Sequence, residues 1–277
     1  MKILKKFGIL LLAVQLSSCE SFLEVEEIGR ASIPVFFKDM DGIRAALPGT
    51  YTAVHKYYDD YFVLYPDVAG DLFNMIPTGE GTHMYTQFNY LSTPEEEAGA
   101  VGFIWRDALR ALANANNILE YYPILLKENP AHRPELDRIK GEALFLRALI
   151  HFDLVRVYAQ PYNFTPGADH PGIPILLYTP GPDENLPRSS VAQVYDQILE
   201  DLHGSLEILS AYHKRDSYHA SEQSAAALLA RVYLYMEDYE QAKHFADQVI
   251  ASSELATAED YIEMFRTAGQ PSEAIFQ

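Results

Sequence analysis

The sequence predicts a mostly α protein built from stacked helix pairs with long irregular loops. Three observations lead there. Apolar residues recur at helical spacing in several separate stretches. Cap signatures such as Ser190-x-x-Gln193 and Asp238-x-x-Gln241 stand ahead of two of them. Between the periodic stretches, residues 61–92 and 160–188 have no helical period and collect Gly, Pro, Asn and aromatic residues.

The chain opens with MKILKKFGILLLAVQLSSC. Lys2, Lys5 and Lys6 form a basic start, and Phe7 to Leu16 is apolar. That run is about ten residues, well short of the ~20 needed to span a bilayer, and it is flanked as a signal peptide. Leu16-Ser17-Ser18-Cys19 has the form of a lipobox, and Cys19 is the only cysteine. A lone exported thiol has no disulfide partner in its chain, and lipidation would consume it. The expected layout is a signal peptide over 1–18, a lipidated acidic tether over 19–37 and a globular body over 38–277. A cleavable secretory signal with an incidental cysteine is the competing reading. A triacylated cysteine anchors stably, since two or more chains hold where one does not.

Asp39 to Tyr58 reads as a helix on Ile43, Leu47, Tyr51 and Val54, with Pro48-Gly49 expected to kink or split it. Residues 61–92 read as loop with short strands. Thr93-Pro94-Glu95-Glu96 has the form of a capping box and should open a helix that runs to Tyr122. Pro134 to Tyr158 carries the stripe Ile139, Ala143, Leu146, Ile150 and Leu154. After the proline-rich 160–188 come helices from Ser190, from Ser221 to Met236, from Asp238 to Ala251 and from Thr257 to Phe265. Glu273 to Gln277 reads as the opening of a strand.

The pair from Ser221 to Ala251 has the spacing of a tetratricopeptide repeat. Leu229-Ala230, Tyr233, Ala242, Ala246 and Val249 fall at the repeat's small and aromatic positions, with Ala226 in place of its Trp and Ala246 in place of its Phe. Small residues let two helices approach, and Tyr233 should fill the groove between them. Such a pair buries its apolar face only by stacking on neighbours.

Composition excludes some partners. The formal net charge is −18, which opposes nucleic-acid binding, because phosphates demand a basic footprint. It equally opposes electrostatic docking on anionic lipid. No catalytic motif is present: there is no HExxH, GxSxG or phosphate loop, and no cofactor or metal is implied. His151 reads as a packed or solvated helix residue. Asp67 and Asp71 could bind calcium or act as an acid pair, but read more simply as a cap or a solvated turn. Glu95-Glu96-Glu97 suits a helix N-terminus. Glu200 and Asp201 lie off the stripe of Ile198, Leu202 and Leu206, and so read as a solvated face. Trp105 reads as core.

A ligand site is expected on the loops that the scaffold holds. Residues 79–90 bring Tyr85, Phe88, Asn89 and Tyr90 close to Gly79, Gly81 and His83. Aromatic rings with an amide between them suit a sugar, since the ring stacks and the amide bonds hydroxyls. The alternative is that these rings pack the loop onto the helices.

Several blocks together resemble the SusD/RagB family of outer-membrane nutrient-uptake lipoproteins: ESFLEVE after Cys19, GTYTAV at Gly49, FIWRDALRALANANNIL at Phe103, GEALFLRALIHFDLVRVY at Gly141 with AQPY and GIPIL behind it, RSSVAQVYDQILEDL at Arg188, and AAALLARVYLYMEDYEQAKHFADQVI at Ala225. The resemblance implies tetratricopeptide-like helix pairs in a right-handed stack, and a non-enzymatic protein facing the cell exterior at the outer membrane. It implies a SusC-like TonB-dependent transporter as partner, and a glycan or peptide as ligand. Gly141, Glu142, Arg147 and Asn116 match family positions and read as scaffold residues. The family is about twice this length, so the C-terminal half is expected to be missing. Two other readings compete: an outer-membrane scaffold lipoprotein that grips other proteins, and a helical glycosidase needing two convergent carboxylates.

Overall fold

The computed structural model describes residues 32–70, 72–73, 76, 84–93, 99–181, 183–212, 216–264, 266 and 273–276, with residue 60 described in its backbone alone. The signal segment and Cys19 therefore lie outside the described residues. The chain divides into two units, Met1–Lys38 and Asp39–Gln277. In the first, Ile33–Phe36 form a single helical turn (α1), with Pro34 in its opening turn.

The second unit is a run of helices. They are α2 (Met40–Tyr57), α3 (Leu64–Ala69), α4 (Tyr85–Phe88), α5 (Ala100–Glu128), α6 (Arg133–Tyr158), α7 (Val191–Leu209), α8 (Glu222–Tyr235), α9 (Tyr239–Ala251) and α10 (Ala258–Glu263). A π-helical turn, Tyr58–Phe62, follows α2. Each long helix packs on the next: α2 on α5, α5 on α6, α6 on α7, α7 on α8, and α8 on α9. The fold is mostly α, with tetratricopeptide-like pairs, as the repeat spacing predicts. No described helix is long and apolar enough to cross a membrane.

The stripe on α6 explains the order. Ile139, Ala143, Leu146, Ile150 and Leu154 are all buried, so this helix sits at the centre of the stack. Gly141 lets α7 come close. A Cβ there would lie 2.9 Å from Leu209 Cδ2 and 3.0 Å from Ile208 Cγ2. At the same crossing the Ser205 hydroxyl donates to the Gly141 carbonyl at 2.8 Å. In the last pair, Tyr233 lies parallel to Phe245, with ring centroids 5.7 Å apart. The aromatic partner is thus Phe245, one residue before the expected Ala246 position. His203 of α7 places its Nε2 3.1 Å from the Tyr233 hydroxyl.

Caps at Ser190 and Asp238 form as the sequence predicts, and Ser221 caps its helix as well, in a capping box with Ser224 that the sequence reading did not single out. Other expectations are corrected. Pro48 does not split α2. Pro48 and Gly49 lie on the exposed face, where water can serve the carbonyl that loses its amide partner. α5 begins at Ala100 with Gly99 as N-cap, so Thr93 does not cap it, and Pro94-Glu95-Glu96 lies outside the described residues. It also continues through Pro123 to Glu128. Residues 61–92 contain the helical turns α3 and α4, and no strand among the described residues. Glu273–Phe276 is not a strand either, because no described segment pairs with it.

The proline-rich 160–188 is pinned rather than loose. Pro171 and Ser190 form an isolated antiparallel bridge. The Gly172 amide donates to the Ser189 carbonyl at 2.7 Å, and a Cβ on Gly172 would meet that oxygen at 3.1 Å. The Arg188 guanidinium donates to the carbonyls of Tyr158 and Gly172 at 3.0 and 2.9 Å.

Candidate functional site

Tyr85, Phe88, Asn89 and Tyr90 form one helical turn and the turn after it. Met84 ahead of them and Tyr90 at their end both have left-handed backbones, with φ of 58° and 56°. Non-glycine residues rarely hold that conformation, and they do so only where surrounding contacts enforce it. The contacts are visible. Val68, Met84 and Ala100 make a small core against which Tyr61, Tyr65 and Phe88 pack. Buried Gln87 donates to the Ser92 hydroxyl at 2.8 Å. The Tyr90 hydroxyl donates to the Ala69 carbonyl at 2.6 Å, tying this turn to the end of α3.

The four residues therefore divide. Phe88 packs the segment onto the scaffold. Asn89 spends its Nδ2 on the Tyr85 carbonyl at 2.8 Å, leaving its side-chain oxygen to other partners. Tyr90 presents its ring to solvent at 70% exposure while its hydroxyl is held. A fixed, exposed ring beside an amide oxygen can stack on a sugar face and accept from a hydroxyl. Gly79, Gly81 and His83 lie outside the described residues, as does Asp71. Asp67 sits in the first turn of α3. Among the described residues no group of three His, Cys, Asp or Glu could hold a metal.

Behind the surface lies a buried polar frame. Arg147 of α6 binds Asp201 of α7 through two hydrogen bonds, at 2.8 and 2.6 Å. Asp201 is buried, which corrects its reading as a solvated residue; Glu200 is the exposed member. The reason is helical phase: Asp201 flanks the stripe and meets a cation that a single-helix reading cannot see. Asn116 of α5 donates to the carbonyls of Leu176 and Tyr178, at 3.0 and 3.2 Å. His151 places Nε2 3.2 Å from the Leu176 amide and Nδ1 3.0 Å from the Arg147 carbonyl. An amide can only donate, so Nε2 accepts and Nδ1 carries the proton. Burial, with Arg147 adding to it, lowers the His151 pKa to about 4. Asn116 and His151 thus hold the irregular segment at Leu176 and Tyr178 against the helices, and Arg147 braces both, through the Asn116 side-chain oxygen at 3.5 Å and through its own carbonyl to His151, a scaffold role.

A second frame joins α2 to α6. Tyr57 and Tyr58 both donate to Asp153 Oδ2, at 2.8 and 2.7 Å, and Arg156 pairs with the other oxygen. Burial pushes the Asp153 carboxyl up, against the pull of Arg156 and the two hydroxyls. Arg156 lies over the Phe152 ring at 4.5 Å. Tyr51 donates to Glu142 at 2.6 Å and accepts from the Ala220 amide at 2.8 Å. Trp105 is half-buried and meets the Tyr158 ring edge-on at 4.8 Å.

One further feature was not anticipated from the sequence. A groove of about 910 Å³ opens between α2, α6 and α8, lined by residues including Tyr51, Tyr58, Leu149, Leu228, Arg231 and Phe276. The signal for it is weak, because it arises where three separate helices diverge.

Residues 36–234 match the SusD-like family described as "Starch-binding associating with outer membrane". The chain belongs to that family. SusD-like protein P38 of Formosa agariphila is 28% identical over 255 residues, covering 90% of this chain and 46% of that protein. A SusD superfamily protein of Bacteroides thetaiotaomicron has a TM-score of 0.72 at 28% identity, over 86% of this chain and 52% of its own. A putative sugar-binding protein of Bacteroides vulgatus gives 0.73 at 26%, over 86% and 54%. The chain spans about half the length of the curated relatives it matches.

Proposed function

We propose that this SusD-like chain is a cell-surface lipoprotein that captures an oligosaccharide, or a peptide, and passes it to a SusC-like TonB-dependent transporter. The family match over residues 36–234 carries this reading. The sugar-binding relative supports a glycan as the first ligand to try. Tyr90 is the stacking platform, Asn89 supplies a hydroxyl acceptor, and Tyr85 and Phe88 position the turn. Cys19 carries the lipid that holds the body near the transporter, which raises effective concentration without a tight interface. The role is binding and delivery rather than catalysis.

Calorimetric titration with starch, laminarin and other oligosaccharides, alongside a peptide panel, tests the capture step. Heat that disappears in Tyr90→Ala supports the site. No binding to any glycan or peptide, or turnover of one, overturns the function. Cys19→Ser should move the protein from the membrane fraction to the soluble fraction. Continued sedimentation with outer membranes would refute the anchor.

A further inference from the structure

One face of α5 leads from the Tyr90 turn to a cluster of cations. Ala100 belongs to the small core on which that turn packs. Tyr61 packs on the same core and stacks on Phe103, with ring centroids 5.3 Å apart. The Arg106 guanidinium lies over the Phe103 ring at 4.6 Å. Arg106 also donates twice to its neighbour Asp107, at 2.9 and 3.0 Å. Asp107 is buried, and the Arg106 bonds hold its carboxyl below the ordinary value in spite of that burial. Arg110 donates to the same carboxylate at 3.2 Å, and Lys56 of α2 stands 3.9 Å from it. Ala100, Phe103, Asp107 and Arg110 recur at helical spacing and so share a face. From Ala100 to Arg110 the helix rises about 15 Å, a span that a short oligosaccharide can bridge.

Three cations around one carboxylate exceed the charge it carries. Arg106 already grips Asp107 with two bonds, so Lys56 and Arg110 add positive charge beyond that pair. Arg106 and Arg110 are four residues apart, where like charges destabilise a helix, and a further anion would relieve the repulsion. The chain as a whole is at −18 and repels anions, so attraction for one has to be local. Arg110 spends one N–H on Asp107 and keeps a 67% exposed side chain, which leaves donors for a ligand. A guanidinium fork suits the paired oxygens of a carboxylate or a sulfate. We propose that Arg110, with Lys56 beside it, binds the carboxylate or sulfate group of an acidic oligosaccharide, another ring of which stacks on Tyr90. The run of Tyr61 and Phe103 between the cations and the Tyr90 turn favours a sugar over an acidic peptide. This inference rests on the glycan reading of the Tyr90 site and names its substrate class.

The test extends the calorimetric panel to acidic oligosaccharides, with the full chain as the binder. Oligogalacturonates and alginate oligosaccharides are each paired with their methyl-esterified forms, and carrageenan oligosaccharides with their desulfated forms. An acidic member should bind roughly tenfold or more tightly than its neutral counterpart, and whether it bears uronate or sulfate identifies the anion. Arg110→Gln with Lys56→Gln should close that gap without lowering the melting temperature, since both side chains are largely exposed. In the unaltered chain, raising salt from about 0.05 M to about 0.5 M should narrow the gap by screening. Neutral forms bound as well as the acidic ones would overturn this inference and leave the glycan reading standing. A gap that survives the double variant or the salt would place the anion elsewhere and overturn it too. So would a polyglutamate peptide that binds as tightly and with the same dependence on Arg110 and Lys56. No binding by any member, acidic or neutral, would sink the glycan reading and this inference with it.

Discussion

Arg147 and Asp201 face each other across the α6–α7 contact, guanidinium to carboxylate, with bonds of 2.8 and 2.6 Å. Gln197 adds a third bond to Asp201 at 3.2 Å. Breaking such a buried pair from one side strands a charge. Arg147→Met should therefore cost about 3–5 kcal/mol, while Arg147→Met with Asp201→Leu should recover most of the loss. Urea denaturation of the three proteins checks this. A double variant no more stable than the single would mean that the pair is not the source.

His151 gives the fold a pH dependence. Its folded pKa, about 4, lies below the ordinary 6.5, so the unfolded chain binds the proton more readily. The stabilisation is fully present above pH 6.5 and is lost as pH falls towards 4, amounting to about 3 kcal/mol at most. His151→Phe should flatten this window while lowering stability at pH 7, because the Leu176 amide loses its acceptor. Denaturation midpoints at pH 7 and pH 4.5, compared between the two proteins, report the difference. An unchanged pH slope would show that other groups dominate.

Two glycines should respond in opposite senses. At Gly141 an added Cβ meets the Leu209 side chain at 2.9 Å, so Gly141→Ala costs about 1–3 kcal/mol through overpacking. Gly49 sits inside α2 with nothing within 4 Å, so Gly49→Ala should stabilise by about 0.5–1 kcal/mol through helix propensity. Thermal melts of both variants decide the matter. Equal effects would contradict the close α6–α7 approach.

What the sequence made legible were features carried by one element: the α6 stripe, the caps at Ser190 and Asp238, and the Tyr233 position. What it hid depends on partners distant in sequence. Asp201 looks solvated until Arg147, fifty-four residues earlier, is placed against it. The reading of Glu273–Phe276 as a strand caught the residue pattern, but pairing needs a second segment. Pro48 looked like a break because propensity weighs the local backbone alone, whereas buried Leu47 and Thr50 on either side of it keep α2 continuous. At the candidate site, the aromatic cluster was visible. Its division into a packing ring and an exposed ring was not, since Phe88 and Tyr90 differ only in what lies behind them.

That division yields the sharpest test of the ligand site. Phe88 packs on the small core, so Phe88→Ala should destabilise this segment and weaken binding indirectly. Tyr90 has a 70% exposed ring and a strained φ of 56°, so its removal should act on binding with little loss of stability. Tyr90→Gly relieves strain of order 1 kcal/mol, offsetting the lost hydrogen bond to Ala69. Tyr90→Phe keeps the ring and should retain glycan affinity within about twofold, whereas Tyr90→Gly should lose tenfold or more, about 1.4 kcal/mol. Titration of each variant with the best glycan, with melting measured in parallel, separates the two roles. If Tyr90→Gly binds as well as the wild type, the stacking platform lies elsewhere, whatever Phe88→Ala does.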